Sequence, residues 1–220
     1  MSSLLPLGPD DLLGTTRAVR RRLDLDRPVD DTLIVECLEL AQQSPSGSNN
    51  PKMHFVVVRD PDLRAVIGDV YRRCYDIYRQ LPGVYIRSID KGSDEANAQQ
   101  QRSADSADVL ATSMAQVPVL VIGCVEGRID ANAPGFAVAS SMGNILPAMW
   151  SFMLAARARG LGTCWTTLHL IMEEEVAGIL GIPFADVQQV CLTPVAHTVG
   201  TDFRRAARPP ASTITHWDGW

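Results

Sequence analysis

Apolar positions recur with two different periods along this chain, and the changes of period mark out its elements. Residues 9–22 read as a short helix opening near Asp10 or Asp11. On it Arg17, Arg20 and Arg21 fall at i, i+3 and i+4 and so share one face. A turn over "LDLDRPVDD" follows, and Asp30 or Asp31 caps a second helix, "TLIVECLELAQQ". That helix is apolar over most of its circumference, which predicts burial. The pattern then breaks into "SPSGSNN" and runs straight into an apolar strand, "HFVVV", at 54–58. Asp60-Pro61 opens another helix reaching about Tyr78. From 80 to 108 the pattern is weak and polar, the mark of a mobile excursion with an amphipathic helix toward its end.

The second half is more apolar. "VPVLVIGCV" (117–125) is a strand apolar on both sides of its alternation. Residues 136–159 form a long apolar helix interrupted by Pro147, with small residues that permit close approach; a core or dimer helix fits it better than a membrane span. "GLGTCWTTLHL" breaks that helix and leads to "MEEEVAGILGI", a helix with an acidic N-terminus. "VQQVCLTPVAHTVG" is a strand with a kink expected at Pro194. The tail, 200–220, is basic, broken by prolines and then β-prone. A third strand arriving only after so long a helix favours an α+β fold with a mixed or antiparallel central sheet flanked by helices. One domain over 1–220 is expected.

Composition narrows the function. With 46% hydrophobic and 20% charged residues the chain has the balance of an ordinary globular protein. A net charge of −5 gives no global reason to bind nucleic acid or an anionic membrane. No apolar run reaches the roughly 20 residues that span a bilayer. The N-terminus lacks the basic and apolar regions of a signal peptide, and the scattered cysteines, in apolar segments and without pairs, lead us to expect a reducing cytoplasm. Five scattered cysteines form no CxxC pair and no zinc spacing, so no metal site is expected. Cys37, Cys124 and Cys191 sit in apolar segments as small hydrophobes, and Cys164 alone lies in a suggestive place.

Three segments carry unusual polar chemistry: the arginines at 17–21, the loop at 44–50 and the arginine-rich tail at 204–208. Forked guanidinium donors fit an anion such as a phosphate. The commonest nucleotide loops, GxGxxG after a strand and GxxxxGK[ST], are absent, as is GxSxG. His54, His169, His197 and His216 each have an ordinary structural explanation, and no paired carboxylates suit acid–base work. No side chain is singled out as catalytic.

Taken in order, "TRAVRRRL", "SPSGSNNPKMHFVVV", "AARARGLGTCWTT" and "ARPPASTITHWDGW" resemble the successive motifs of the nitroreductase family of FMN-dependent oxidoreductases, from about Thr15 to Trp220. The resemblance implies an intertwined homodimer and a bound FMN, with NADH or NADPH as co-substrate and a small-molecule acceptor such as a nitroaromatic or quinone. It leaves open a flavin-binding or flavin-sequestering protein without useful turnover, or an FMN-dependent dehalogenase or dehydrogenase. Carried over residue by residue, Arg17, with Ala18 beside it and Arg20 or Arg21 beyond, would meet the phosphate, and Arg208 would close that site. Pro45, Ser46, Ser48 and Asn49 would line the ribityl chain and ring, and Trp165, Thr166 and Thr167 would flank the isoalloxazine. The tail would reach the partner subunit, and 80–108 would be a variable lid that sets acceptor choice. Three departures stand out: Ala18 replaces the usual Ser, Pro51-Lys52-Met53 replaces "QPW", and "TPVAHTVG" replaces the commoner "GYP" turn.

Overall fold

The computed structural model describes residues 3–220, apart from the side chain of Ser48. Its centre is β2 (Val119–Glu126), whose residues alternate between two apolar layers. Val119, Val121 and Val125 face one core layer with Ile34 and Cys37 of α2 (Asp31–Ala41) and Ile145, Met149 and Phe152 of α5 (Gly135–Ala158). Leu120, Ile122 and Cys124 face the other, with Ile67 and Tyr71 of α3 (Pro61–Tyr78), Leu110 of α4 (Asp94–Ser113) and Val176 of α6 (Glu173–Leu180). A strand buried on both faces has to be apolar throughout. Each fully buried large side chain contributes about 1.5–3 kcal/mol.

The sheet runs β1-β2-β4-β3, with β1 at Met53–Val58, β3 at Leu161–Thr163 and β4 at Val187–His197. All three pairings are antiparallel, so the fold is α+β with an antiparallel sheet flanked by helices. Helix starts follow capping chemistry. Asp30 accepts from Thr32 N at the head of α2, and Asp60 accepts from Asp62 N and Leu63 N ahead of Pro61 in α3.

Five expectations are corrected. The first helix, α1, covers only Pro9–Thr15, where Thr15 and Thr16 hydroxyls donate back to the Asp11 and Leu12 carbonyls. Beyond it the chain touches the sheet at two points, where Val19 N donates to Thr163 O and Asp24 N to His197 O, and turns between them with Leu23 N donating to Arg20 O, burying Val19 and Leu23. Gly162 makes this possible, since a Cβ there would come within 2.9 Å of Val19 and 3.0 Å of Leu23. Arg17, Arg20 and Arg21 therefore share a loop, not a helix face. The kink expected at Pro194 is absent. The register shift lies opposite Gly123/Cys124, leaving Val190 as the extra residue. Leu192 exchanges both backbone bonds with Thr166, so Pro194 turns its nitrogen to the same edge where β3 has already ended, and no donor is missed.

The other three corrections concern faces and extent. α2 buries only Ile34, Cys37 and Ala41, while Val35 and Leu40 are exposed. The amphipathic helix expected toward the end of 80–108 is present, but α4 begins as early as Asp94, capped by Ser93, and runs past the stretch to Ser113. The tail forms no strand, only a short 3-10 turn at Ala211–Thr213.

Among the described residues no helix is long and apolar enough to cross a membrane. α5 carries Pro147 in its interior and leaves Phe136 79% exposed, with Trp150 and Leu146 also reaching the surface. That exposed apolar face lies opposite the face packed on the sheet.

Candidate cofactor site

Two cavities meet at Arg20. The first, about 180 Å³, is lined by the run Ala18–Arg22 with Ser106 of α4 and Phe203 of the tail. The second, about 240 Å³, is lined by Arg20, Trp165, Thr166, Thr167 and Leu168, by Tyr71, Tyr75 and Tyr78 of α3, and by Ile86 and Ala107. Arg20 and the adjacent pair Ser106–Ala107 form the partition between them. Arg20 NH1 donates to Ser106 Oγ at 3.3 Å, which fixes the guanidinium there.

Of the seven candidate residues in the first loop and the 165–167 turn, the structure thus brings Ala18, Arg20 and Arg21 to one cavity and Trp165, Thr166 and Thr167 to the next. Arg20 belongs to both, which separates it from Arg21. Arg17 is turned away and donates to Arg204 O at 3.0 Å. Arg22, adjacent to the candidates, is committed to Val199 O and to Asp202 at 2.7 Å and lies 4.2 Å over the Phe203 ring. Arg208 is exposed on the tail and lines neither cavity.

The 44–50 loop lies elsewhere in this chain. Gly47 and Asn50 line a third cavity of about 530 Å³ with Lys52, Ser140 and Asn144. The loop closes as a 3-10 turn over Gly47–Asn49, with Asn49 at φ 51°, a left-handed conformation that Asn tolerates better than most residues. A Cβ at Gly47 would stand 3.3 Å from Ser140 Oγ, so glycine lets the loop approach α5. Pro45, Ser46 and Asn49 flank that approach, and the Ser48 side chain lies outside the described residues. The Lys52 that replaces the usual Gln-Pro-Trp pattern faces the same cavity.

Electrostatics reinforce the division. The Thr166 hydroxyl is buried, and no partner meets it at hydrogen-bond geometry. Tyr71 stands beside it, its phenol pushed up by burial and slightly relieved by that hydroxyl. Tyr75 donates to Asp108 Oδ1 at 2.9 Å, and both burial and that carboxylate push its phenol up. Cys164 is buried and its thiol raised by burial, against a smaller opposing pull from Arg20. It therefore stays a thiol, without nucleophilic character. Cys37 is pushed up to about 11, and Cys124 and Cys191 to about 12, all three mainly by desolvation. Among the described residues no cluster of three or more His, Cys, Asp or Glu could hold a metal ion.

Sequence reasoning missed the tyrosines and Ser106. Tyr71, Tyr75 and Tyr78 recur at i, i+4 and i+7, which reads as an ordinary core stripe. Only the 240 Å³ space beside them distinguishes a binding wall from a core. Ser106 lay in a polar stretch whose pattern carried no signal.

An antiparallel sheet thus lies between two helical layers, with an arginine cavity and an aromatic cavity adjoining at Arg20. The nitroreductase family profile matches residues 14–200, and the chain belongs to the nitroreductase family. In sequence it is 27% identical over 191 residues to the 5,6-dimethylbenzimidazole synthase of Rhodospirillum rubrum, covering 84% of this chain and 81% of that protein. In structure it is similar to a BluB-like flavoprotein of Clostridium difficile 630, with a TM-score of 0.69 and 20% identity over 97% of this chain and 100% of that one. It is equally similar to an FMN- and NADPH-dependent nitroreductase of Sphigopyxis sp. strain HMH, again with a TM-score of 0.69, 20% identity and coverage of 97% and 100%. An iodotyrosine deiodinase solved with FMN and 3-iodo-L-tyrosine gives a TM-score of 0.69 at 19% identity, covering 96% of this chain and 98% of that one. At these identities the structural likeness speaks to the fold.

Proposed function

We propose that this chain is an FMN-dependent oxidoreductase that passes hydride from NADH or NADPH to a small organic acceptor, working as a homodimer. The observation that carries the reading is Arg20, whose guanidinium borders both the arginine cavity and the aromatic cavity. A ligand with an anionic end and a planar ring fits that pairing. The buried hydroxyl of Thr166, which stands beside the Tyr71 phenol without a hydrogen bond of good geometry, fits it too, since a ring heteroatom could satisfy it. Bound there, FMN would supply the redox chemistry, and the protein's task would be binding and orientation.

In this reading Arg20 and Arg21 would hold the phosphate, with the Ser106 hydroxyl beside them where Ala18 offers none. Trp165 would pack against the ring, and Thr166 and Thr167 would border its edge. Arg20, reaching past the partition, would favour negative charge on the ring when it is reduced. No acid or base is needed from a side chain.

Two observations support a dimer. The 44–50 loop lines a different cavity from 165–167, so each copy would carry two half-sites, and a second copy's loop would complete the first. The exposed Phe136, Trp150 and Val35, with Trp217 86% exposed in the tail, form more apolar surface than a lone chain is expected to present. The tail, exposed and without a strand partner, would reach across to the second copy.

Purified protein should be yellow, and anaerobic addition of NADH or NADPH should bleach it. A yellow protein that stays oxidised would instead support a flavin binder without turnover. Light scattering should give twice the chain mass at micromolar concentration. The sequence relation to a 5,6-dimethylbenzimidazole synthase favours one further reading, and assaying the reduced, re-aerated protein for that product tests it directly.

A further inference from the structure

Arg20 borders both cavities, yet among the described residues no carboxylate pairs with it, whereas Arg22 in the same wall is tied to Asp202 at 2.7 Å. Its guanidinium is held instead by Ser106 of α4, whose Oγ accepts from Arg20 Nη1 at 3.3 Å. The serine is itself fixed. Its hydroxyl donates to the Ser103 carbonyl one turn back at 2.7 Å, so its single proton is committed inside the helix. Only lone pairs remain to face Arg20, and a guanidinium can only donate. Both ends of the contact are therefore set, and the other N–H groups of the fork are left for the cavities. α4 is clamped in turn. Arg87 donates to Gln101 at 3.0 Å, Asp105 at 2.9 Å and Asp108 at 2.6 Å, and Gln100 donates back to the Ile86 carbonyl at 2.9 Å. Asp105 and Asp108 lie on either side of Ser106 in the helix, so this clamp fixes the rotation of α4 and with it the approach of the serine to Arg20.

We propose that Ser106 is a positioning residue for cofactor binding: it holds the Arg20 guanidinium at the boundary of the two cavities and couples α4 to the phosphate grip through that one hydrogen bond. This rests on the reading that Arg20 meets the phosphate of FMN. A free arginine side chain samples many rotamers, and a ligand that needs one of them bears the ordering cost. Held by Ser106, Arg20 has lost part of that freedom before any anion arrives, which favours binding. Arg21, exposed at the same cavity, has no such tether among the described residues. The preorganised half of the grip is therefore Arg20. Because coupling between two sites is reciprocal, a disturbed α4 weakens FMN binding, and bound FMN steadies α4.

The test is a double-mutant cycle on flavin-free protein, with FMN titrated by fluorescence. Ser106→Ala should lower FMN affinity about fivefold, the size of one modest hydrogen bond. Made in Arg20→Ala, the same change should cost nothing further, because the group it positions has gone. Ser106→Thr keeps the hydroxyl, which can still bond back to a carbonyl of its own helix, and should restore the affinity. Losses that simply add would mean that Ser106 acts on FMN apart from Arg20, and would overturn the proposal. So would a Ser106→Ala variant that binds FMN as wild type does. A variant that melts lower and is not rescued by Thr would overturn it too, since the stability of α4 would then be the whole effect. The reading beneath it fails differently. If Arg20→Ala binds FMN as tightly as wild type, Arg20 does not meet the phosphate, and the coupling to the cofactor falls with it. NMR relaxation of the Arg20 Nε–Hε group in the flavin-free protein decides the contact by itself. Its order should fall in Ser106→Ala, and equal order in the two proteins would overturn the positioning role.

Discussion

His169 offers a quantitative test of the packing beside the candidate site. It sits in the 3-10 turn Leu168–Met172, directly after the turn that carries Thr166 and Thr167, and is fully buried. Neither ring nitrogen has a hydrogen-bond partner. Burial lowers its pKa from 6.5 to about 4, against a smaller upward pull from Glu173. With the folded value below the unfolded one, the unfolded chain binds the proton more readily, and acid favours unfolding. The stabilisation is complete above about pH 6.5 and is lost as pH falls toward about 4. Over that whole window the loss is roughly 3 kcal/mol, and between pH 7 and pH 5 it is about 2 kcal/mol. His169→Leu removes the titration and also two unsatisfied polar atoms. The variant should therefore be no less stable than wild type at pH 7 and should overtake it by about 2 kcal/mol at pH 5. Urea unfolding of both proteins at fixed concentration, in steps from pH 7 to pH 5, reads the difference directly, and other titrating groups cancel. Parallel stability curves would mean that His169 takes up its proton without penalty, and the dry, unpartnered environment drawn for it would be wrong.

Two further predictions concern the cofactor site. Arg20→Ala should weaken FMN binding by roughly tenfold to a hundredfold, the loss of one charge-assisted contact of about 1.5–3 kcal/mol, as read by fluorescence titration. Arg22→Ala, which removes a side chain already committed to Val199 O and Asp202, should leave that affinity alone and lower the melting temperature; equal losses of FMN affinity would show that the two arginines do not divide their work in this way. Thr166→Val keeps the shape and deletes the buried hydroxyl. The flavin midpoint potential should shift by about 20 mV, equivalent to about 1 kcal/mol for a two-electron couple, whereas an unchanged potential with a changed melting temperature would make Thr166 a structural residue only.

What could be read from the chain divides along a physical line. Elements whose signals are local were legible. The Asp60-Pro61 cap begins α3, Asp30 caps α2, and the two-sided apolar run of β2 falls between both core layers. Elements that exist only because of a partner were not. β3 is three residues long and has no pattern of its own; it is a strand because His197, Ala196 and Val195 of β4 pair with it. The 16–23 segment has helical spacing, yet it forms a bridged turn against the sheet because Val19 and Leu23 bury there and Gly162 leaves room for them. That one tertiary preference rearranges the candidate site. On a helix, Arg17, Arg20 and Arg21 would have presented one basic face. In the bridged turn Arg17 and Arg22 reach the tail backbone, at Arg204 O and Val199 O, while Arg20 turns inward to Ser106. The motif order identified the family, and the separation of the arginines among Ser106, the tail and solvent came from packing. The same holds for α2 and α5: periodicity told that both are apolar nearly all round, but only the fold distinguishes the face packed on β2 from the face carrying Val35, Phe136 and Trp150 to the surface. An apolar face with no partner within the chain is what a second copy would cover, and the same contact could bring the 44–50 loop to the cavities that Arg20 joins.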